Sequence, residues 1–184
     1  MLHFSLNDTS AGASVLPGID FRTPWQGLDL LELDSGARAG GADAREEGWI
    51  LLEGAVELVA ADGTVVDQSA APAALTSGCG LGLRHSVRYS GNTPARLLYA
   101  PVKVAPQTNK PQGRVAAITA ESLKWRDAIH GGIGCIATRH IWNPDDFCST
   151  WTYIDHAVLA ADSSVGYHYH DALEEDDEAE EEGS

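Results

Sequence analysis

The chain has 184 residues, 43% of them hydrophobic, enough to pack one large domain or one and a half small ones. Its formal net charge is −15, but eight of the eleven residues from Glu174 to Ser184 are acidic, leaving a body with 19 acidic against 12 basic residues. No cluster of Lys and Arg offers a nucleic-acid footprint, and the acidic balance disfavours anionic membrane surfaces.

Residues 1–24 read as an N-terminal extension, with no basic stretch and apolar run of the secretory kind. From Trp25 the pattern becomes short β runs. LDLLEL (Leu28 to Leu33) is followed by a loop with Gly36, Gly40 and Gly41. WILLEGAVELVA (Trp49 to Ala60) breaks at Gly54, and Asp62-Gly63 suits a tight hairpin turn. TVVDQSA, LGLRHSVRYS (Leu81 to Ser90) and ARLLYAPVKV (Ala95 to Val104) complete a set of strands whose spacing predicts a sandwich or barrel over 25–104. Residues 105–133 read as a linker, because Pro106, Pro111 and Gly113 interrupt any pattern. Within it, ITAESLKWRDAI (Ile118 to Ile129) predicts a short helix capped by Thr119 and ended by Gly131-Gly132. Two more β runs, GCIATRHIW and STWTYIDHAVLA, open a unit over 134–175. Residues 176–184 are too acidic to bury apolar surface and read as a disordered tail. No apolar run approaches a membrane span. The three cysteines, Cys79, Cys135 and Cys148, are odd in number and show no CxxC spacing; free thiols in a cytoplasmic protein are expected.

An internal repeat runs through the chain. At a constant offset of 126, Trp25 matches Trp151, Asp29 matches Asp155, Leu33 matches Leu159 and Gly40 matches Gly166. Gly36 falls on Asp162, both acceptable in a turn. Ala42 then falls on His168 and Ala44 on His170, and Glu47 corresponds to Glu175 after two extra residues. The reading is a tandem β unit, one copy from about Trp25 to Val104 and a second from about Gly134.

His168 and His170 lie at i and i+2, so on a strand both imidazoles project from one face. With a carboxylate a few residues on, that geometry suits Fe(II), and equally Zn, Mn, Ni or Cu. An isolated HxH pair is more often two solvated histidines, so context decides. His85 is either a leftover ligand or a polar residue lining a barrel, and Glu47 either a ligand or the start of a strand. His140 and His156 read as substrate contacts or, more commonly, as hydrogen-bonded structural groups. Cys148 reads as a buried structural thiol. The equivalence of Trp25 and Trp151 argues for a repeated packing role.

DSSVGYHYHDALEE (Asp162 to Glu175) resembles the first motif of the cupin superfamily, G-x5-H-x-H-x3,4-E-x6-G. His168, His170 and Glu175 stand at its ligand positions, and Asp162 replaces its first Gly. The earlier copy resembles the same motif with the metal removed: Gly36, Glu47 and Gly54 are kept, and Ala42 and Ala44 replace the histidines. The second motif, P-x-G-x2-H-x3-N, is echoed by Gly80, Gly82 and His85, with Gly80 for Pro and Tyr89 for Asn. The resemblance implies an all-β fold, a cupin-like jelly-roll barrel followed by a partial second cupin unit. It implies a divalent metal (Fe, Mn, Zn, Ni or Cu) on His168, His170 and Glu175, with His85 and Glu47 as substrate-binding groups in the first barrel. The function it implies is descent from a metal-dependent dioxygenase, isomerase or lyase acting on a small polar metabolite. The alternative is a non-catalytic small-molecule-binding or structural module, a truncated gene product. An incomplete sheet leaves edge groups unpaired, so a homodimer is expected.

Overall fold

The computed structural model describes residues 12–16, 21–78, 84–105, 112–119 and 123–167. They form an all-β protein built from antiparallel sheets. Eight strands make the first unit: β1 (Asp29–Leu33), β2 (Arg38–Gly40), β3 (Arg45–Glu53), β4 (Ala55–Ala60), β5 (Val65–Ala70), β6 (Ala73–Gly78), β7 (His85–Tyr89) and β8 (Ala95–Lys103). Their order is β1-β8-β3-β6 in one sheet and β2-β7-β4-β5 in the other. That alternation of strands between two four-stranded layers is the jelly-roll arrangement. The local chemistry follows the sequence: Gly63 (φ 89°) turns the β4–β5 hairpin after Asp62, whose carboxylate accepts from Thr64 N–H at 2.9 Å.

The larger sheet is covered on both sides, so β3 and β6 are buried along nearly their whole length, polar residues included. Successive side chains of a strand point to opposite faces. From β3, Trp49 and Leu51 enter the barrel core with Leu33, Leu58, Leu75 and Leu97. On the other face, Ile50 packs with Ala74, Val102, Trp142, Phe147 and Trp151, a second core that joins the barrel to the later part of the chain.

Two expectations for 105–133 are corrected. Residues Gln112–Ala117 form a strand, β9, paired antiparallel with β6, so this stretch extends the first sheet and is not a linker. Lys124–Asp127, inside the predicted helix, is strand β10, paired with β11 (Cys135–Trp142). The apolar residues Leu123, Trp125 and Ile129 do not make a buried helical face: Trp125 is 57% exposed, and sheet pairing with β11 wins over weak helical propensity. β12 (Ile154–Leu159) completes a sheet of order β10-β11-β12.

Several contacts recur 126 residues apart. Ser14 bridges Asp29, and His140 faces Asp155 in the β11–β12 register. Phe21 packs on Trp25 with ring centroids 5.7 Å apart, and Phe147 on Trp151 at 5.4 Å. Trp25 N–H points to Thr23 Oγ1 (3.5 Å), and Trp151 N–H to Ser149 Oγ (3.3 Å). Gly36 and Asp162 both take positive φ, 82° and 56°, in the turn after β1 and after β12. The two indoles also meet each other edge-on, 6.2 Å apart. Among the described residues, no helix is long and apolar enough to cross a membrane.

Candidate functional site

The first barrel holds Glu47 and His85, the two groups that sequence reasoning placed near a ligand. Both are buried, and both meet β6 at Ser77. Glu47 donates its backbone N–H to Ser77 Oγ (2.9 Å), and its carboxylate is fully engaged. Oε2 accepts from Gly41 N–H at 2.6 Å, and Oε1 from the Tyr99 hydroxyl at 2.5 Å. Tyr99 stacks on Trp49, and burial, then the bond to Glu47, pushes its phenol well above the ordinary range. It therefore stays a hydrogen-bond donor at any ordinary pH. His85 Nδ1 lies 2.8 Å from Ser77 O. A carbonyl only accepts, so Nδ1 carries the proton. Gly113 of β9 lies flat on this ring; a Cβ there would come within 2.8 Å of His85 Cγ.

These residues do not fit a metal. Each Glu47 oxygen already accepts a short bond, and His85, with Nδ1 donating to Ser77 O, offers Nε2 as its one ligand atom, too few donors to hold an ion. Ala42 and Ala44, at the positions where the motif has histidines, are exposed in the loop before β3 and have no ligand atom. Among the described residues, no group of three or more His, Cys, Asp or Glu is placed to hold a metal ion. His168, His170 and Glu175, the 176–184 tail, and Gly80 and Gly82 of the second motif lie outside the described residues.

The junction between the barrel and the later strands is built on a residue that sequence reasoning passed over. Glu46, next to Glu47 on β3 and facing the opposite way, is fully buried. Its carboxylate accepts from Cys148 N–H (3.2 and 3.1 Å) and from Ser149 N–H (2.8 Å). Gly48, two residues on, leaves room for Trp151: a Cβ there would overlap the indole ring. Arg114 of β9 pairs with Asp146 at 2.8 Å, and Arg139 reaches Ala117 O at 2.7 Å. Asp146 is held below the usual carboxylate range, first by the Asn143 backbone N–H and also by Arg114. The expectation of free thiols is corrected at Cys148, which is disulfide-bonded, while Cys135 is free. An odd number of cysteines does not by itself keep every thiol free. Cys79 lies outside the described residues.

On the three-stranded sheet, His140 Nδ1 lies 2.6 Å from Asp155 Oδ1, with Tyr153 stacked on the imidazole at 4.8 Å. His140 and Asp155 are about half exposed, and the described contacts give them no nucleophile to activate. His156 Nδ1 and Arg139 Nε, on the opposite face, are buried without a hydrogen-bond partner. The structure thus gathers Glu47 and His85 around Ser77, sets His140 and His156 on different faces of another sheet, and adds Glu46. Phe21 with Phe147, and Thr23 with Ser149, share the 126-residue offset and were readable signals of the same junction.

No known family description matches the chain, and no curated protein matches it. Among solved structures, the chain is similar to YhaK from Escherichia coli, at 14% identity and a TM-score of 0.46, over 73% of this chain and 75% of that one. It is also similar to YhhW from Escherichia coli, at 17% identity and a TM-score of 0.43, over 66% of this chain and 56% of that one.

Proposed function

We propose that the chain is a cupin-type protein of duplicated build, in which the first barrel is scaffold and the later unit carries the chemistry. In this reading His168, His170 and Glu175 bind a divalent ion (Fe, Mn, Zn, Ni or Cu). The lineage is that of a metal-dependent enzyme acting on a small polar metabolite. The observation that carries the reading is the depleted donor set of the first barrel: Ala42 and Ala44 stand where the motif has histidines, and both Glu47 oxygens are taken by Gly41 and Tyr99, which leaves His85 Nε2 by itself. A site needs several free donor atoms and a supporting shell, and the first barrel offers the shell with too few donors. We assign Glu47 and His85 to the barrel interior as structural groups. The recurrence of the Phe–Trp contact, the hydroxyl–Trp turn and the strand register at one offset supports the duplication. The two-histidine, one-carboxylate chemistry supports a metal in the later copy.

The test is metal uptake by the full chain, stripped of adventitious ions and titrated with Fe(II), Mn(II) or Zn(II). One ion per chain is expected, lost in His168→Ala and in His170→Ala but kept in Glu47→Gln. No uptake, or uptake indifferent to both histidine replacements, leaves the chain as a non-catalytic binding or structural module.

A further inference from the structure

Of the eight large hydrophobic residues exposed among the described ones, six lie beyond residue 123: Trp125, Ile133, Tyr153, Val158, Leu159 and Tyr167. Two of these, Val158 and Leu159, sit on β12, whose outer edge pairs with nothing among the described residues. The earlier copy of the same strand shows what such an edge takes. β1 is flanked on one side by residues 12–15 and on the other by β8, with Asp29, Leu31 and Leu33 opposite Tyr99, Leu97 and Ala95. In an antiparallel ladder, the N–H and C=O of one residue point the same way and those of the next point the other way. Leu30 exchanges bonds with Ala13 and Gly12, so Asp29, Leu31 and Leu33 address β8. Ala160 N–H bonds Cys135 O on the β11 side, so Asp155, Ala157 and Leu159, the equivalents of those three, direct their backbone groups outward.

We propose that this edge pairs with the β12 edge of a second copy of this chain, antiparallel, across a two-fold axis at Ala157. β8 is not available to a neighbour, because β1 and β3 hold both its edges. β12 suits itself. With Ala157 opposite Ala157, Asp155 faces Leu159 and His156 faces Val158, so no like charges meet and a small side chain sits on the axis. All three outward-directed residues find partners, and the two three-stranded sheets become one. Val158, 37% exposed, and Leu159, 48% exposed, are covered. The pairing does not depend on metal binding, so either proposal stands if the other fails.

Sedimentation equilibrium of the full chain at tens of micromolar, in about 0.15 M salt to screen its acidic charge, should give twice the 19.5 kDa chain mass. Ala157→Pro removes only an outward N–H, which an edge strand tolerates; the monomer mass with unchanged far-UV circular dichroism is expected. Ala157→Cys in a Cys135→Ser background should crosslink on oxidation, because a hydrogen-bonded antiparallel pair sets its Cα atoms about 5.5 Å apart, within disulfide range. A monomeric parent chain overturns the proposal. So does a dimer that survives the folded proline variant and leaves the Ala157→Cys variant uncrosslinked. Where the proline variant unfolds or the two variants disagree, the crosslink decides: its formation upholds the axis and its absence overturns it.

Discussion

Glu46 offers the sharpest test of how the two parts of the chain are held together. The perturbation is Glu46→Ala. The side chain is fully buried, and its carboxylate is the acceptor for the backbone N–H groups of Cys148 and Ser149, 102 and 103 residues away. Removing it leaves two donors without a partner, each worth about 1–3 kcal/mol. Against this stands the relief of an ion taken out of water, which offsets part of the loss. A net destabilisation of about 3 kcal/mol follows, or ~6–12 °C in melting temperature for a chain of this length. Glu46→Gln keeps one acceptor oxygen but turns an NH2 toward a donor, so it should fall about midway. Thermal melts of both variants measure the size, and amide hydrogen exchange at Cys148 and Ser149 measures the place: both amides should exchange faster. An Ala variant as stable as the parent, or more stable, would mean that burying this charge costs as much as its three bonds return. The junction would then rest on apolar packing alone.

Two further outcomes follow from the same junction. Gly48→Ala forces a methyl into the space of the Trp151 ring and should cost about 1–3 kcal/mol, with a shift in tryptophan fluorescence, whereas the parent emission maximum in the variant would show that the indole has room to move. Asp146, whose folded-state affinity for a proton is lowered, contributes stability that is present in full above its ordinary value of 3.8 and disappears as pH falls through the depressed one. The melting-temperature gap between the parent and Asp146→Asn should therefore be constant above about pH 4 and close as the solution is acidified further; a gap independent of pH would remove the Arg114–Asp146 pair from the account.

The first barrel was legible because its strands alternate or run continuously apolar between Gly-rich turns, and the jelly-roll order adds only the pairing that such strands adopt. What sequence reasoning could not see lies where local pattern and tertiary context diverge. β9 follows a stretch with two prolines, and its residues QGRVAA look like a connector until β6 is placed beside them. β10 is exposed along its length, so KWRD has no buried face to announce a strand. Glu46 and Glu47 are indistinguishable as a pair of carboxylates; only the alternation of β3 sends one into the barrel and the other toward Cys148. The disulfide at Cys148 is likewise not revealed by an odd cysteine count. The 126-residue offset reads at Trp25 and Trp151, and it relates Phe21 to Phe147 as well.

The outward face of the larger sheet has a consequence for how this barrel behaves in isolation. Ile50, Ala74, Ala100 and Val102 are roofed by Trp142, Phe147 and Trp151. Stripped of that aromatic roof, a fragment ending near residue 105 would present a bare greasy plane to water and would precipitate or clump. The later segment therefore works as a built-in solubiliser for the earlier one, whatever chemistry it hosts. That gives evolution a reason to keep these strands independent of any reaction.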